Sequence, residues 1–321
     1  MPRDRILLTG TLAAVVAATL FGMLGPLARF GAEAGVDGVA FTAWRALLGV
    51  LFLGALLVVR GGLRETAAAL RGLSRSGRLT LAVAALMALL LNVAMFTAFG
   101  LIPIALTLML FYTYPAGVVV VEVVVGRERI TTSRLAALGL SSLGVVLVLV
   151  GGLDPGTGAP LHPLGIVLGL VAAASQVVFV TVSRSGYRSV PADGATLVIL
   201  STSLVGAALI ALLAGQADDL IAPFRSLDPV PFIVVAGVVS AGLASLLFLT
   251  AIRAIGGTRT GILMLLEPVV GTILAGLWLG EALSPVQLAG AALVLLGALV
   301  LQVRGAPAHE PVPGSAAGPV A

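Results

Sequence analysis

The 321-residue sequence contains no cysteine, no lysine and two histidines, His162 and His309. Without cysteine the chain cannot form disulfides, thiolate nucleophiles, iron–sulfur clusters or cysteine zinc sites. Without lysine, Schiff-base chemistry and Ser/Lys dyads are excluded. The two histidines are too far apart in sequence for a paired-histidine zinc motif, and no nucleotide-binding P-loop occurs. We therefore expect no metal and no cofactor, and ATP-driven transport by this chain alone is disfavoured.

Charge is also scarce, because charged residues make up 10% of the chain and hydrophobic residues 59%, with a mean hydropathy of +1.16. A soluble domain carries about 25% charged residues to face water. The arginines are scattered singly rather than clustered in a patch, which argues against binding of nucleic acid. The composition predicts a polytopic membrane protein.

Charged residues and Gly/Pro-rich breaks divide the chain into segments of about 20 apolar residues, the length that crosses a bilayer. They predict an all-α polytopic membrane protein with ten transmembrane helices. The predicted spans are 7–29, 38–59, 79–99, 104–125, 135–152, 164–183, 195–214, 230–252, 260–280 and 284–303.

The arginines predict the orientation of these spans. With both termini in the cytoplasm, 15 of the 18 basic residues, all of them arginine, lie on the cytoplasmic side. Short cytoplasmic loops carry such an excess of basic residues, so we expect a multi-pass protein of the plasma (inner) membrane. The tail 305–321 is rich in proline, glycine and alanine, and we expect it to be disordered.

An internal repeat becomes visible when the chain is shifted by 153 positions. The shift pairs Thr107 with Thr260 and Pro115 with Pro268. We interpret residues 1–152 and 153–304 as two repeats of five spans each. Because five is odd, the second repeat must be inverted relative to the first. Inverted repeats are typical of secondary transporters, whose substrate site lies between the repeats near the midplane.

Both repeats place a proline within a helix and a loop glutamate thirteen residues later, as Pro115 with Glu128 and Pro268 with Glu281. This pattern, together with Arg45 in the second span, resembles the EamA-type family of the drug/metabolite transporter superfamily. The resemblance covers residues from about 7 to 303. It implies a ten-helix carrier of metabolites, often an exporter of amino acids or related small molecules.

Two charged residues lie deep within predicted spans. Glu267 is about 10 Å inside the cytoplasmic end of the ninth span, and Arg45 is equally deep from the outer side. Glu267 could carry a proton or bind a cationic group, or it could stabilise a proline kink. Arg45 could bind a carboxylate or phosphate, or it could hold a helix end. Their difference in depth argues against a direct ion pair. Glu122 lies near the end of the fourth span, where it is expected to be solvated or paired with arginine.

Prolines and polar residues near the midplane complete the candidate site. Pro115 and Pro268 each remove a helical hydrogen bond, so they are candidates for helix breaks or gating elements. Each polar residue could contact substrate or form an interhelical hydrogen bond. These polar candidates are Asn92, Tyr112, Tyr114, Gln176 and Ser245.

The sequence favours a secondary transporter that moves a small-molecule substrate by alternating access, with protons as a candidate coupling ion. It does not favour an enzyme. The alternatives are an intramembrane enzyme, which would need a catalytic constellation at depth, and a non-transporting membrane scaffold. A scaffold would not need polar residues near the midplane of both repeats.

Overall fold

A computed structural model describes residues 3–36, 38–99, 101–102, 104–127, 131–151, 162–279 and 284–304. Within these ranges the secondary structure is helical, and no strand occurs. Three sequence predictions lie outside the described residues. They concern the loop residues Glu128 and Glu281, which the sequence predicts to cap or tether the following helix, and the tail 305–321.

The described helices fall into two halves of the chain. The first half comprises α1 Arg3–Gly22, α2 Leu24–Glu33, α3 Gly38–Val59, α4 Leu63–Arg71, α5 Arg75–Phe99, α6 Ile104–Phe111, α7 Tyr114–Val124 and α8 Thr132–Gly151. The second half comprises α9 Pro163–Ser183, α10 Ala192–Leu213, α11 Ala217–Arg225, α12 Val230–Val235, a π-helix Ala236–Ala244, α13 Ser245–Ile255, α14 Gly257–Met264, α15 Glu267–Leu279 and α16 Pro285–Arg304.

Eight helical segments of the described chain are long and apolar enough to cross a membrane, which makes the protein a multi-pass membrane protein. They correspond to the first eight of the ten spans that the sequence predicts. The ninth predicted span is divided between α14 and α15, because the helix is interrupted at 265–266. The tenth corresponds to α16, whose apolar part, Pro285–Val300, is shorter than the other eight.

Helix α8 packs closely against α16, and the two run antiparallel. Near one end, the Ser284 hydroxyl donates to the Gly151 carbonyl at 3.1 Å. Further along, Gly144 lies against Gly290, where a methyl group added to Gly144 would be 2.5 Å from the Gly290 carbonyl oxygen. Small residues allow membrane helices to approach this closely, and here they bring the last helix of each half into backbone contact.

The second spans of the two halves, α3 and α10, also pack against each other. Val39 near the start of α3 clusters with Ala211 near the end of α10, whereas Leu53 further along α3 clusters with Leu200. As the residue number rises in one helix it falls in the other, so α3 and α10 are antiparallel. Equivalent helices of the two halves therefore run in opposite directions at two separate contacts.

Candidate functional site

Both halves of the molecule contain a broken helix. In the first half, α6 ends at Phe111 and α7 begins at Tyr114; in the second, α14 ends at Met264 and α15 begins at Glu267. Each second piece has proline at its second position. Because proline has no N–H, the carbonyl group four residues earlier loses its helical donor, and the helix breaks where the sequence pattern placed the proline. The breaks place helix ends and polar backbone groups within apolar segments of both halves.

Glu267 is the first residue of α15 and lies beside the break between α6 and α7. Its carboxyl group interacts with the hydroxyl of Tyr112, a residue that is itself 5% exposed. A carboxylate in the first turn of a helix is also stabilised by the helix dipole. The repeat offset pairs Glu267 with Tyr114, so one half carries a carboxyl group where the other carries a phenol.

Arg45 lies in α3 and is 6% exposed. Its Nη2 donates to the Oδ1 atom of Asn92 in α5, and the Asn92 Nδ2 donates to the Ala88 carbonyl at 2.7 Å. The guanidinium carbon is 6.0 Å from the centre of the Phe96 ring, at the outer limit of a cation–π contact. Sequence reasoning missed Phe96, although its spacing of four residues from Asn92 places both on one helix face.

The charges of Arg45 and Glu267 interact through space. In the described structure, neither a hydrogen bond nor an ion pair within 4.0 Å joins the two groups, which agrees with the expectation from their depths. The Nε atom of Arg45 is buried and has no hydrogen-bond partner. A buried donor without a partner is costly, by about 1–3 kcal/mol, and it is available to a ligand.

Gln176 in α9 adds a contact from the second half, because its side chain interacts with the Tyr114 hydroxyl. Tyr114 is 2% exposed and packs against the Phe111 ring at 5.1 Å. Ser245 begins α13 and, among the described residues, forms no hydrogen bond with this set. The structure thus brings six of the seven polar and charged candidates together from both halves. The polar chain comprises Arg45, Asn92, Tyr112, Tyr114, Gln176 and Glu267.

A π-helix, Ala236–Ala244, packs against the turn of α3 that carries Arg45. A methyl group added to Gly237 would lie 3.0 Å from the Arg45 carbonyl oxygen and 2.4 Å from Leu48 Cβ. The Ser240 hydroxyl donates to the Leu20 carbonyl at 2.9 Å. π-Helical turns often occur at functional sites. Sequence reasoning missed this element, for which the short alanine- and glycine-rich run is the available signal.

A second polar group, which we call the Glu122 cluster, lies at the end of α7 that the arginines predict to be cytoplasmic. It consists of Glu122, Arg127 and Arg184. The side chain of Glu122 is fully buried, is hydrogen-bonded to Arg184 Nη1 and has an Oε1 atom 3.7 Å from Arg127 Nη1. Arg127 also donates to the Thr181 carbonyl at 3.0 Å. Glu122 is therefore paired with arginine and fully buried, and the cluster joins α7 of the first half to α9 of the second.

Arg184 belongs to a loop whose position is fixed by Tyr187. The Tyr187 and Ser183 hydroxyls are hydrogen-bonded at 2.5 Å, and burial raises the pKa of Tyr187 above its usual value. The hydroxyl thus stays protonated. Arg253 lies over the Tyr187 ring at 5.1 Å and donates to the Val190 carbonyl at 2.9 Å. These contacts hold the loop against α13.

Acidic and histidine side chains are not grouped for metal binding in the described ranges, where no cluster of three or more potential ligands occurs. The polar chain instead contains one guanidinium, one carboxyl group, two carboxamides and two phenols. These groups can exchange hydrogen bonds with a small polar molecule and can neutralise a charge of either sign.

The chain is similar to known proteins over most of its length. The chain is 26% identical over 296 residues to an uncharacterized transporter of Archaeoglobus fulgidus, covering 91% of this chain and 95% of that protein. A crystal structure of another protein, 22% identical, has the same fold with a TM-score of 0.75 over 92% of this chain and 96% of that one. The pattern of the EamA-like transporter family matches residues 8–150 and again residues 163–303. With two family repeats covering nearly all of its length, the chain belongs to the EamA-like transporter family, within the drug/metabolite transporter superfamily.

Proposed function

We propose that the protein is a secondary transporter that moves a small metabolite by alternating access between its two halves. The observation that carries this proposal is the polar chain, in which a buried guanidinium and a carboxyl group interact electrostatically without direct contact. Contributions come from α3, α5 and α7 of one half and from α9 and α15 of the other. A site shared by two halves changes its access when the halves move relative to each other.

The substrate class follows from the charges of this site. We propose a zwitterion such as an amino acid or a related compound, with its carboxylate on Arg45 and its ammonium group on Glu267. The unpartnered Nε of Arg45 could complete a two-point contact with a carboxylate. The alternative role for Glu267 is to carry a coupling proton, and the two roles predict different substrate profiles.

For the membrane topology, we propose ten spans arranged as two inverted five-helix repeats, residues 1–152 and 153–304. The antiparallel packing of α3 with α10 and of α8 with α16 supports the inversion, because equivalent helices run in opposite directions. In this proposal the interrupted segment α14–α15 and the short apolar helix α16 are the ninth and tenth spans. The arginine distribution supports an inner-membrane location with both termini cytoplasmic.

The proposed direction is export, and the Glu122 cluster is the contact proposed to close the cytoplasmic side. The cluster links the two halves at the end predicted to be cytoplasmic, whereas the polar chain lies deeper. A closed cytoplasmic side would have to open for substrate to enter from the cell. Breaking the contacts of Glu122 is therefore the expected inward-opening step.

Transport by purified protein in liposomes tests these proposals. Uptake and efflux of amino acids, matched amines and matched carboxylic acids would be measured with and without a pH gradient. We expect zwitterions to be carried, Arg45→Gln to impair carboxylate-bearing substrates, and Glu267→Gln to impair ammonium-bearing ones. Arg225→Gln is the matched control, because Arg225 forms an exposed pair with Asp218 at 2.8 Å.

The outcomes also separate the alternative functions. If well-folded protein transports none of the tested solutes, a non-transporting scaffold gains support. Chemical conversion of a substrate within the liposomes would instead favour an intramembrane enzyme. Equal transport of amines and zwitterions would contradict the assigned role of Arg45.

A further inference from the structure

An apolar groove of about 300 Å³ lies between α4, α5 and α10. Its floor includes Ala82 and Ala85 of α5, and its walls include Leu70 of α4 and Val198 of α10. The alanines leave space between larger side chains, and this space extends along α5 as far as Leu86. Because α4 and α5 belong to the first half and α10 to the second, the groove crosses the boundary between the halves.

One end of the groove is positively charged. Arg78 lines that end, and its Nε donates to the Leu73 carbonyl at 3.1 Å, which fixes the direction of the side chain. Within the described part of the chain, no carboxylate pairs with Arg78. The acidic groups of the flanking helices α4 and α10 are Glu65 and Asp193, and neither lines the groove. Asp193 Oδ1 instead accepts from the Gly194 N–H at 2.8 Å.

The groove is long enough to hold part of one acyl chain, with the charged headgroup at the Arg78 end. Arg78 lies in the first turn of α5, and the eight residues from there to Leu86 span about 12 Å, less than half the hydrocarbon core. On the same helix, Leu79 is 64% exposed and Leu86 is 56% exposed, as expected for a face that meets lipid. The groove ends six residues before Asn92, so it is separate along α5 from the polar chain.

We propose that this groove binds an anionic phospholipid, with one acyl chain along Ala82 and Ala85 and the phosphate on Arg78. A guanidinium without a carboxylate partner, at the positive end of a helix dipole, favours a headgroup with net negative charge. The bound chain touches both halves and stabilises their packing at this boundary. This site depends on the membrane location of the protein and not on the identity of any transported solute.

Native mass spectrometry of the full-length protein tests the site. Purified protein in mild detergent would be mixed with equal amounts of phosphatidylglycerol and phosphatidylcholine, and the retained lipids counted. We expect retention of phosphatidylglycerol over phosphatidylcholine. Arg78→Gln should lower that ratio about fivefold, the contribution of one arginine near an anionic surface. Ala82→Phe should remove both lipids by filling the groove from an exposed position.

Two variants serve as matched controls. Arg60→Gln removes an exposed arginine that does not line the groove, and Ala174→Phe enlarges an exposed alanine on α9. Both should retain lipid as the native protein does. The proposal is overturned if Arg78→Gln keeps the native lipid ratio, or if Ala82→Phe retains as much lipid as Ala174→Phe. Because lipid retention is measured without transport, failure of the proposed function would leave this result interpretable.

Discussion

At the scale of single residues, Arg45 and Glu267 are stabilised by different neighbours. Arg45 has the Asn92 oxygen and the Phe96 ring, and Glu267 has the Tyr112 hydroxyl and the first turn of α15. Ionisable groups within a membrane are costly without such partners. No direct hydrogen bond joins these two groups, so both remain available to bind a ligand.

Replacing Glu267 tests its role most directly. We expect Glu267→Gln to lower transport of ammonium-bearing substrates, or coupling to protons, by about tenfold or more, since hydrogen bonds to charged groups contribute roughly 1.5–3 kcal/mol. The amide can still bond to Tyr112, so the melting temperature should stay near that of the native protein. Both quantities would be measured on one purified sample, with the exposed Glu65→Gln as control.

Two results would assign Glu267 a structural role instead. Normal transport with normal coupling would mean that the carboxyl group only supports the helix break at Pro268. Loss of transport together with a collapsed melting temperature would mean that the fold requires the carboxyl group.

At the scale of helices, contact between the halves depends on glycine in one place and on charge in another. The α8–α16 contact brings backbone against backbone at Gly144 and Gly290. The Glu122 cluster joins α7 to α9 through a fully buried carboxyl group. The first contact has no space for movement, whereas the second can be broken by separating the ionic partners.

Enlarging Gly144 should disrupt the first contact. A Cβ atom there would meet backbone atoms of α16 at 2.5 Å and 2.7 Å, which no rotamer change can relieve. We expect Gly144→Leu to destabilise the protein by roughly 1–3 kcal/mol or more. Gly139→Leu on the same helix has no atom within 4 Å of the added Cβ and should be neutral or stabilising by up to about 1 kcal/mol. Thermal unfolding in detergent measures both, and equal losses would contradict the packing.

Removing the charge of Glu122 should loosen the second contact. Val118 is fully buried one turn earlier on α7, and the chain has no cysteine of its own, so Val118→Cys provides a single labelling site. We expect Glu122→Gln to raise the reaction rate of the introduced cysteine with a polar thiol reagent severalfold. Breaking a buried ion pair leaves an arginine without its charge partner, and hydration of that arginine opens this end to water. Arg225→Gln in the same background is the control. An unchanged rate would show that the cluster does not close this end.

At the scale of the whole molecule, two similar halves pack around a polar chain to which both contribute. The family pattern matches each half separately, and equivalent helices meet in antiparallel pairs. The chemistry is not symmetric, because Tyr114 and Glu267 occupy equivalent places in the two halves. This difference places a carboxyl group beside the break of the second half and a phenol beside the break of the first.

The proposed topology predicts the location of the C-terminus. A reporter that is active only in the cytoplasm should be active when fused after Arg304, because 15 of the 18 arginines then lie inside. A reporter that is active only outside the cytoplasm should be silent at the same position. Activity of the second reporter would contradict an even number of spans with both termini inside.

The sequence by itself determined that this chain lies in a membrane and is built from two related halves. Sparse charge, long apolar segments and the paired Pro115 and Pro268 are properties of the sequence that can be recognised without knowledge of tertiary contacts. Arg45 and Glu267 could be selected in the same way, since a charge within an apolar segment is costly wherever the chain folds.

The tertiary structure alone decided which of these residues meet. Arg184 pairs with Glu122 from 62 positions away, and Gln176 reaches Tyr114 from the other half of the chain. The π-helix beside Arg45 and the groove beside Arg78 depend on how neighbouring helices pack. Such contacts follow from three-dimensional packing between segments far apart in sequence. They therefore cannot be predicted from the spacing of residues or from their hydropathy.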